Sequence, residues 1–200
     1  KVLSYTLNLE TDEEAKEMQK AALILEGGAK RGVFTSGVLD YLMEQEYYIP
    51  HVIGVSAGSC NAVDYVSRQP GRTKACMIRS GEDGKIINFH NFFQTKSLLD
   101  MDLIFERDPK ELHPFDFDTY FSSDMTCEIV VTNCESGQAE YYSEKEDGDR
   151  LMQLCRASSS MPLVTPMVEI DGVPYLDGGI ADSIPLIHSM RSGYRKNVLI

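Results

Sequence analysis

Ser56 lies at the centre of Gly54-Val-Ser-Ala-Gly58. In this pattern a strand turns sharply into a helix and lifts a serine hydroxyl into a cleft, and the flanking glycines remove side chains that would clash in the turn. The position also puts Ser56 at a helix N-terminus, where free N–H groups and the helix dipole favour the negative charge that develops in acyl transfer. Nucleophilic attack on a carbonyl is the chemistry such a serine can do, provided a base takes its proton. The four histidines, His51, His90, His113 and His188, have no distinctive sequence context, so a Ser-His-Asp triad stays open without support. Asp177 is the better candidate base: it follows an apolar run, precedes Gly178 and Gly179, and sits between Pro174 and Pro185. Glycines beside a carboxylate let another backbone come close. Because a free carboxylate binds a proton weakly, the role needs surroundings that favour the protonated form in the transition state.

A third group is Glu26-Gly-Gly-Ala-Lys-Arg-Gly32. The loop of Gly27, Gly28, Ala29, Lys30, Arg31 and Gly32 can turn consecutive N–H groups inward around an anion. Nucleotide loops fit it poorly. Ala29 stands where a dinucleotide loop wants its middle glycine, and Val33 follows Gly32 where a phosphate loop wants lysine and a hydroxyl residue.

These residues need elements to hold them. Ala21–Leu25 is a short apolar run ending in glycines, the mark of a buried strand, and from Gly32 to about Gln45 the apolar spacing predicts a helix. His51–Val55 predicts a second strand and 57 to about 68 a second helix, with Ser56 at their junction. Residues 126–132 predict a third strand, 149 to about 156 a helix, and 166–176 a hairpin turning at Asp171-Gly172 that leads into Asp177. Between about 69 and 123 the chain is mixed, with Pro-Gly, Gly-Glu-Asp-Gly and Asp-Pro turn signals and the aromatics Phe89, Phe92, Phe93 and Phe105. A cap or helical insertion suits it. Alternating strands and helices indicate an α/β sandwich with a mostly parallel sheet.

At 200 residues and 42% hydrophobic content the chain can bury one substantial core. No apolar run is long enough to span a bilayer, and the first 20 residues lack the pattern of a secretory signal. The net charge of −12 disfavours nucleic acid and long-range attraction to anionic membranes, so lipid contact should be local and apolar. Five widely spaced cysteines without a CxxC pair read as reduced thiols in a cytoplasmic protein. Residues 1–20 read as an N-terminal extension or an added segment. The apolar run Asn197-Val-Leu-Ile200 reads as a domain cut short at its C-terminus.

Taken in order, Gly27–Gly32, Gly54–Gly58 and Asp177-Gly-Gly179 resemble the three signatures of the patatin-like phospholipases. The resemblance runs from about Ala21 to Leu186 and takes in Ala157-Ser-Ser-Ser-Met-Pro162 and Ser183-Ile-Pro185. It implies a three-layer α/β/α fold over 21–200, a Ser56–Asp177 dyad, and an oxyanion hole of backbone N–H groups around Gly27, Gly28 and Ala29. It implies no cofactor, no metal in the chemical step and no nucleotide. Arg31, on a position often basic in the family, would shape the loop or meet an anionic head group. Ala29 replaces a usual third glycine and disfavours the positive φ such a loop can need. The expected substrate is a lipid ester, reached through transient membrane-surface contact, with apolar residues between about Ile86 and Phe121 as an access surface where they are not simply core. Transacylation by the same dyad, and a lipid-binding or regulatory module with little turnover, are the alternatives.

Overall fold

The computed structural model describes residues 20–78, 97 and 99–200. The expected extension at 1–20 and the aromatics Phe89, Phe92 and Phe93 therefore lie outside the described residues, apart from Lys20.

A seven-stranded sheet forms the middle layer. Strand β1 (Ala21–Leu25) pairs in parallel with β2 (His51–Val55) on one side and β7 (Lys196–Leu199) on the other, and β2 pairs in parallel with β3 (Thr126–Asn133). Three antiparallel strands complete the sheet. β4 (Ala139–Tyr142) and β6 (Val173–Asp177) both bond β3, and β5 (Val168–Ile170) bonds β6 through the hairpin at Asp171-Gly172. Both residues of β1 and β2 faces are buried at every position, which is why these strands read as unbroken apolar runs rather than alternating ones.

Register explains how two distant parts of the chain meet. Val130 pairs with Val55 of β2 and with Tyr141 of β4, whereas the next residue, Val131, pairs with Asp177 of β6 and with Glu140 of β4. A strand has only two edges, so β6 occupies the same edge of β3 as β2. The two strands run toward each other along that edge and stop one register position apart. Residue 56 and residue 177 are thereby brought together by the ladder itself.

Helices α1 (Gly32–Glu44), α2 (Ala57–Val66) and α6 (Gly148–Ser158) lie on one face, over a core that includes Leu23, Leu25, Val52, Ile129 and Val131. The other face, with Ile24, Ile53 and Val130, is covered in part by Leu186 of α7 (Leu186–Arg191). Burying a side chain such as Leu23 or Ile129 contributes about 1.5 to 3 kcal/mol. The result is the three-layer α/β/α arrangement.

The described part of the mixed region is helical: α3 (Arg72–Met77), α4 (Leu103–Leu112) and α5 (Phe117–Ser122). Asp108-Pro109, a turn signal in the sequence, instead sits inside α4. That helix is π-wound, with His113 N–H bonding the Asp108 carbonyl five residues back. A wider turn tolerates the missing proline N–H and relieves the ring's clash with the preceding turn.

Three elements are additional to the sequence reading. β4 is half-buried at all four positions, and α7 with β7 closes the far edge of the sheet. All five cysteines are free thiols, and no described helix is long and apolar enough to cross a membrane.

Candidate active site

The turn at Ser56 is as sharp as its glycines suggest. Ser56 has φ 55° and ψ −125°, a backbone state that costs about 1 to 3 kcal/mol for a residue with a side chain. Space decides the neighbours. A Cβ on Gly54 would come 2.5 Å from the Gly58 carbonyl oxygen, and one on Gly58 would come 2.2 Å from that of Leu25. Gly27 also abuts the serine, since its Cβ would lie 2.7 Å from Ser56 Cβ.

Across the gap between β2 and β6, the Ser56 hydroxyl donates to Asp177 Oδ2 at 2.6 Å. The other carboxylate oxygen, Oδ1, accepts the Gly179 N–H at 2.8 Å, which fixes the carboxylate's orientation. Gly178 allows the turn because a Cβ there would sit 2.2 Å from the Val130 carbonyl. The Asp177 backbone is held as well: its N–H donates to the Ser160 carbonyl and its carbonyl accepts from the Thr132 hydroxyl, each at 2.8 Å. Asp177 is 7% exposed. Burial pushes its carboxyl above the ordinary range, against the opposing pull of the hydrogen bonds from Ser56 and Gly179. This is the environment a carboxylate base requires.

Ser158 was visible only as part of a small polar run. Its hydroxyl accepts the Ser56 N–H at 2.8 Å and donates to the Val130 carbonyl at 2.7 Å, so it stands in for a ladder bond where β2 leaves β3. The residue is fully buried. Ser158→Ala would strand both backbone groups, and we expect it to lower unfolding free energy by about 1 to 3 kcal/mol, measurable by urea denaturation.

The loop before α1 faces the same point. Gly28 (φ 154°) and Ala29 (φ 49°) turn it, and Ala29 does adopt the positive φ that alanine disfavours. The Arg31 N–H returns to the Gly28 carbonyl at 3.0 Å, and the Arg31 side chain folds back over Gly28. Gly28, Ala29, Lys30 and Arg31 line a cavity together with Ser56, while Gly32 packs against Ala57 and Asn61 at the start of α1.

That cavity has a volume of about 500 Å³. Its walls near Ser56 are apolar, from Ala57, Val63, Ile104, Phe105, Met152 and Val164. Of the expected access surface, Leu99, Met101, Ile104 and Phe105 line the cavity, and Phe115 is core. A polar group unforeseen from sequence also reaches the wall: Asp64, Arg72, Thr73, Cys76 and Asp108. Arg72 Nη1 and the Thr73 hydroxyl hold the buried Asp64 carboxylate at 2.8 and 2.6 Å.

Of the histidines, His188 Nε2 is hydrogen-bonded to Glu128 Oε2 at 2.8 Å, and His51 Nε2 lies 3.6 Å from the same carboxylate oxygen. His113 pairs with Asp108. None of these three hydrogen-bonds Ser56, and His90 lies outside the described residues.

The fold and site define an α/β/α protein with a serine and a carboxylate paired over an apolar cavity. The chain belongs to the patatin-like phospholipase family, whose model matches residues 23–189, and the family supports a lipid hydrolase. It is 29% identical over 186 residues to the uncharacterized protein YjjU of Escherichia coli (strain K12), covering 90% of this chain and 51% of that one. Its fold is similar to that of VipD from Legionella pneumophila, with a TM-score of 0.52 at 15% identity, covering 82% of this chain and 46% of VipD. The chain thus spans about half the length of these proteins.

Proposed function

We propose that the protein hydrolyses carboxylic esters of phospholipids or related lipids through an acyl-enzyme on Ser56, with Asp177 as base. The observation that carries the reading is the 2.6 Å bond from Ser56 Oγ to a buried carboxylate at the wall of an apolar cavity. Ser56 Oγ attacks the ester carbonyl carbon as its proton passes to Asp177. The carbonyl oxygen becomes an oxyanion facing the N–H groups of the Gly27-Gly28-Ala29 loop and the N-terminus of α2. Collapse breaks the ester C–O bond, and the leaving alcohol takes the proton from Asp177. Water then enters, gives its proton to Asp177 and attacks the acyl carbon; the second collapse returns the proton to Ser56 and frees the fatty acid.

The pH dependence follows from the carboxyl. Asp177 can accept a proton only when ionised, and burial raises its pKa. Activity should be full above that pKa and fall tenfold per pH unit below it, giving kcat/KM an acid limb above the ordinary aspartate range of about 3.9. The test is fatty-acid release from phospholipid across pH. A limb at or below the ordinary aspartate value would contradict the base assignment, and no release at any pH would sink the hydrolase reading.

A further inference from the structure

Cys76, Asp108 and His113 each turn one ligand atom toward the others, and these atoms all lie within 4.8 Å of one another. His113 Nδ1 lies 2.8 Å from Asp108 Oδ1, and the Cys76 thiol is hydrogen-bonded to Asp108. None of the three has a part in the acyl chemistry. Cys76 comes from α3, Asp108 from α4, and His113 from the residue capping α4.

We infer that these side chains form a binding site for a borderline-soft divalent cation of the zinc class. Thiolate, imidazole and carboxylate are the donors that zinc takes, and a thiolate beside an imidazole suits neither magnesium nor calcium. In a tetrahedral zinc site with bond lengths of about 2.0 to 2.3 Å, donor atoms sit roughly 3.3 to 3.8 Å apart. His113 Nδ1 and Asp108 Oδ1, at 2.8 Å, would part slightly to reach that spacing.

Charge also closes. Asp108 is 1% exposed, and Arg72 pairs with Asp64 at 2.8 Å. Adding a divalent ion, with the thiol proton released to solvent, gives two negative ligands and two positive charges. Access exists from two sides: the His113 side chain is 33% exposed, and Cys76 and Asp108 line the cavity. Three protein ligands leave a fourth position for water. The ion would tie α3 to α4 across the cavity wall.

Cobalt(II) titration of the reduced protein tests this directly. We expect one equivalent to produce a thiolate-to-cobalt charge-transfer band and the strong visible bands of a four-coordinate ion. Zinc should bleach both, and a large excess of magnesium or calcium should not. Cys76→Ser should lose the charge-transfer band, and His113→Gln should weaken binding by about tenfold or more. X-ray absorption of the zinc-loaded wild type should show one sulfur ligand, a readout that does not depend on any variant folding. Absence of the thiolate band, a spectrum with only nitrogen and oxygen ligands, or a band that persists in folded Cys76→Ser would overturn the site.

Discussion

Ser56→Ala should lower kcat for lipid-ester hydrolysis by on the order of 10⁵-fold to 10⁶-fold while leaving the fold intact, because it removes the atom that becomes acylated. The variant keeps every backbone contact of the elbow, including the bond from the residue-56 N–H to Ser158. It loses only the 2.6 Å bond to Asp177. Circular dichroism and a cooperative melt establish that the variant is folded, and fatty-acid release measures the loss. Residual hydrolysis within about 100-fold of wild type would mean that another group carries the reaction.

Asp177→Asn should cost on the order of 10⁴-fold, since proton transfer by a positioned base is worth roughly 10² to 10⁴ and the dyad has no second base. Its stability should move the other way. The folded-state pKa of Asp177 is raised, so the stability linked to its proton is present below the unfolded aspartate pKa and is lost as pH rises through the folded value. At neutral pH the wild type bears the cost of a buried charge that asparagine lacks. The variant should therefore be more stable than wild type at pH 7, with the difference shrinking on acidification. Urea midpoints at several pH values check this, and a variant less stable at pH 7 would show that the carboxylate is not strained by burial.

The opposed effects of one substitution express how the site is built. β2 and β6 converge on one edge of β3 and leave a serine and a buried aspartate face to face. Such groups are costly to the fold and useful to chemistry.

Local signals in the sequence account for much of this. The apolar runs of β1 and β2, the glycines of the elbow and the turn at Asp171-Gly172 are each determined within about ten residues, so the strand, turn and helix sequence around Ser56 was legible. Asp177 is 121 positions from Ser56; its place after an apolar run and before two glycines marked it as a candidate base, and the resemblance of three ordered motifs supplied the pairing. The shared β3 edge that enforces the pairing leaves no local trace. Ala139–Tyr142 escaped notice because Ala-Glu-Tyr-Tyr has no clear alternation and is half-buried throughout. Asp108-Pro109 misled because a π-wound turn removes the penalty that normally makes proline a helix breaker. Ser158 looked like any small polar residue until its neighbours on β2 and β3 were in place. The polar wall of the cavity joins residues from α2, α3 and α4, each unremarkable alone.

The proposed reaction depends on a Ser56 nucleophile activated by Asp177. Mass-spectrometric mapping of fluorophosphonate labelling, on wild type, Ser56→Ala and Asp177→Asn under the same conditions, tests it most directly. We expect a single adduct on Ser56 in wild type, much slower labelling of Asp177→Asn, and none at residue 56 in Ser56→Ala. A folded wild type left unmodified at Ser56, or an Asp177→Asn variant labelled as fast as wild type, would contradict it.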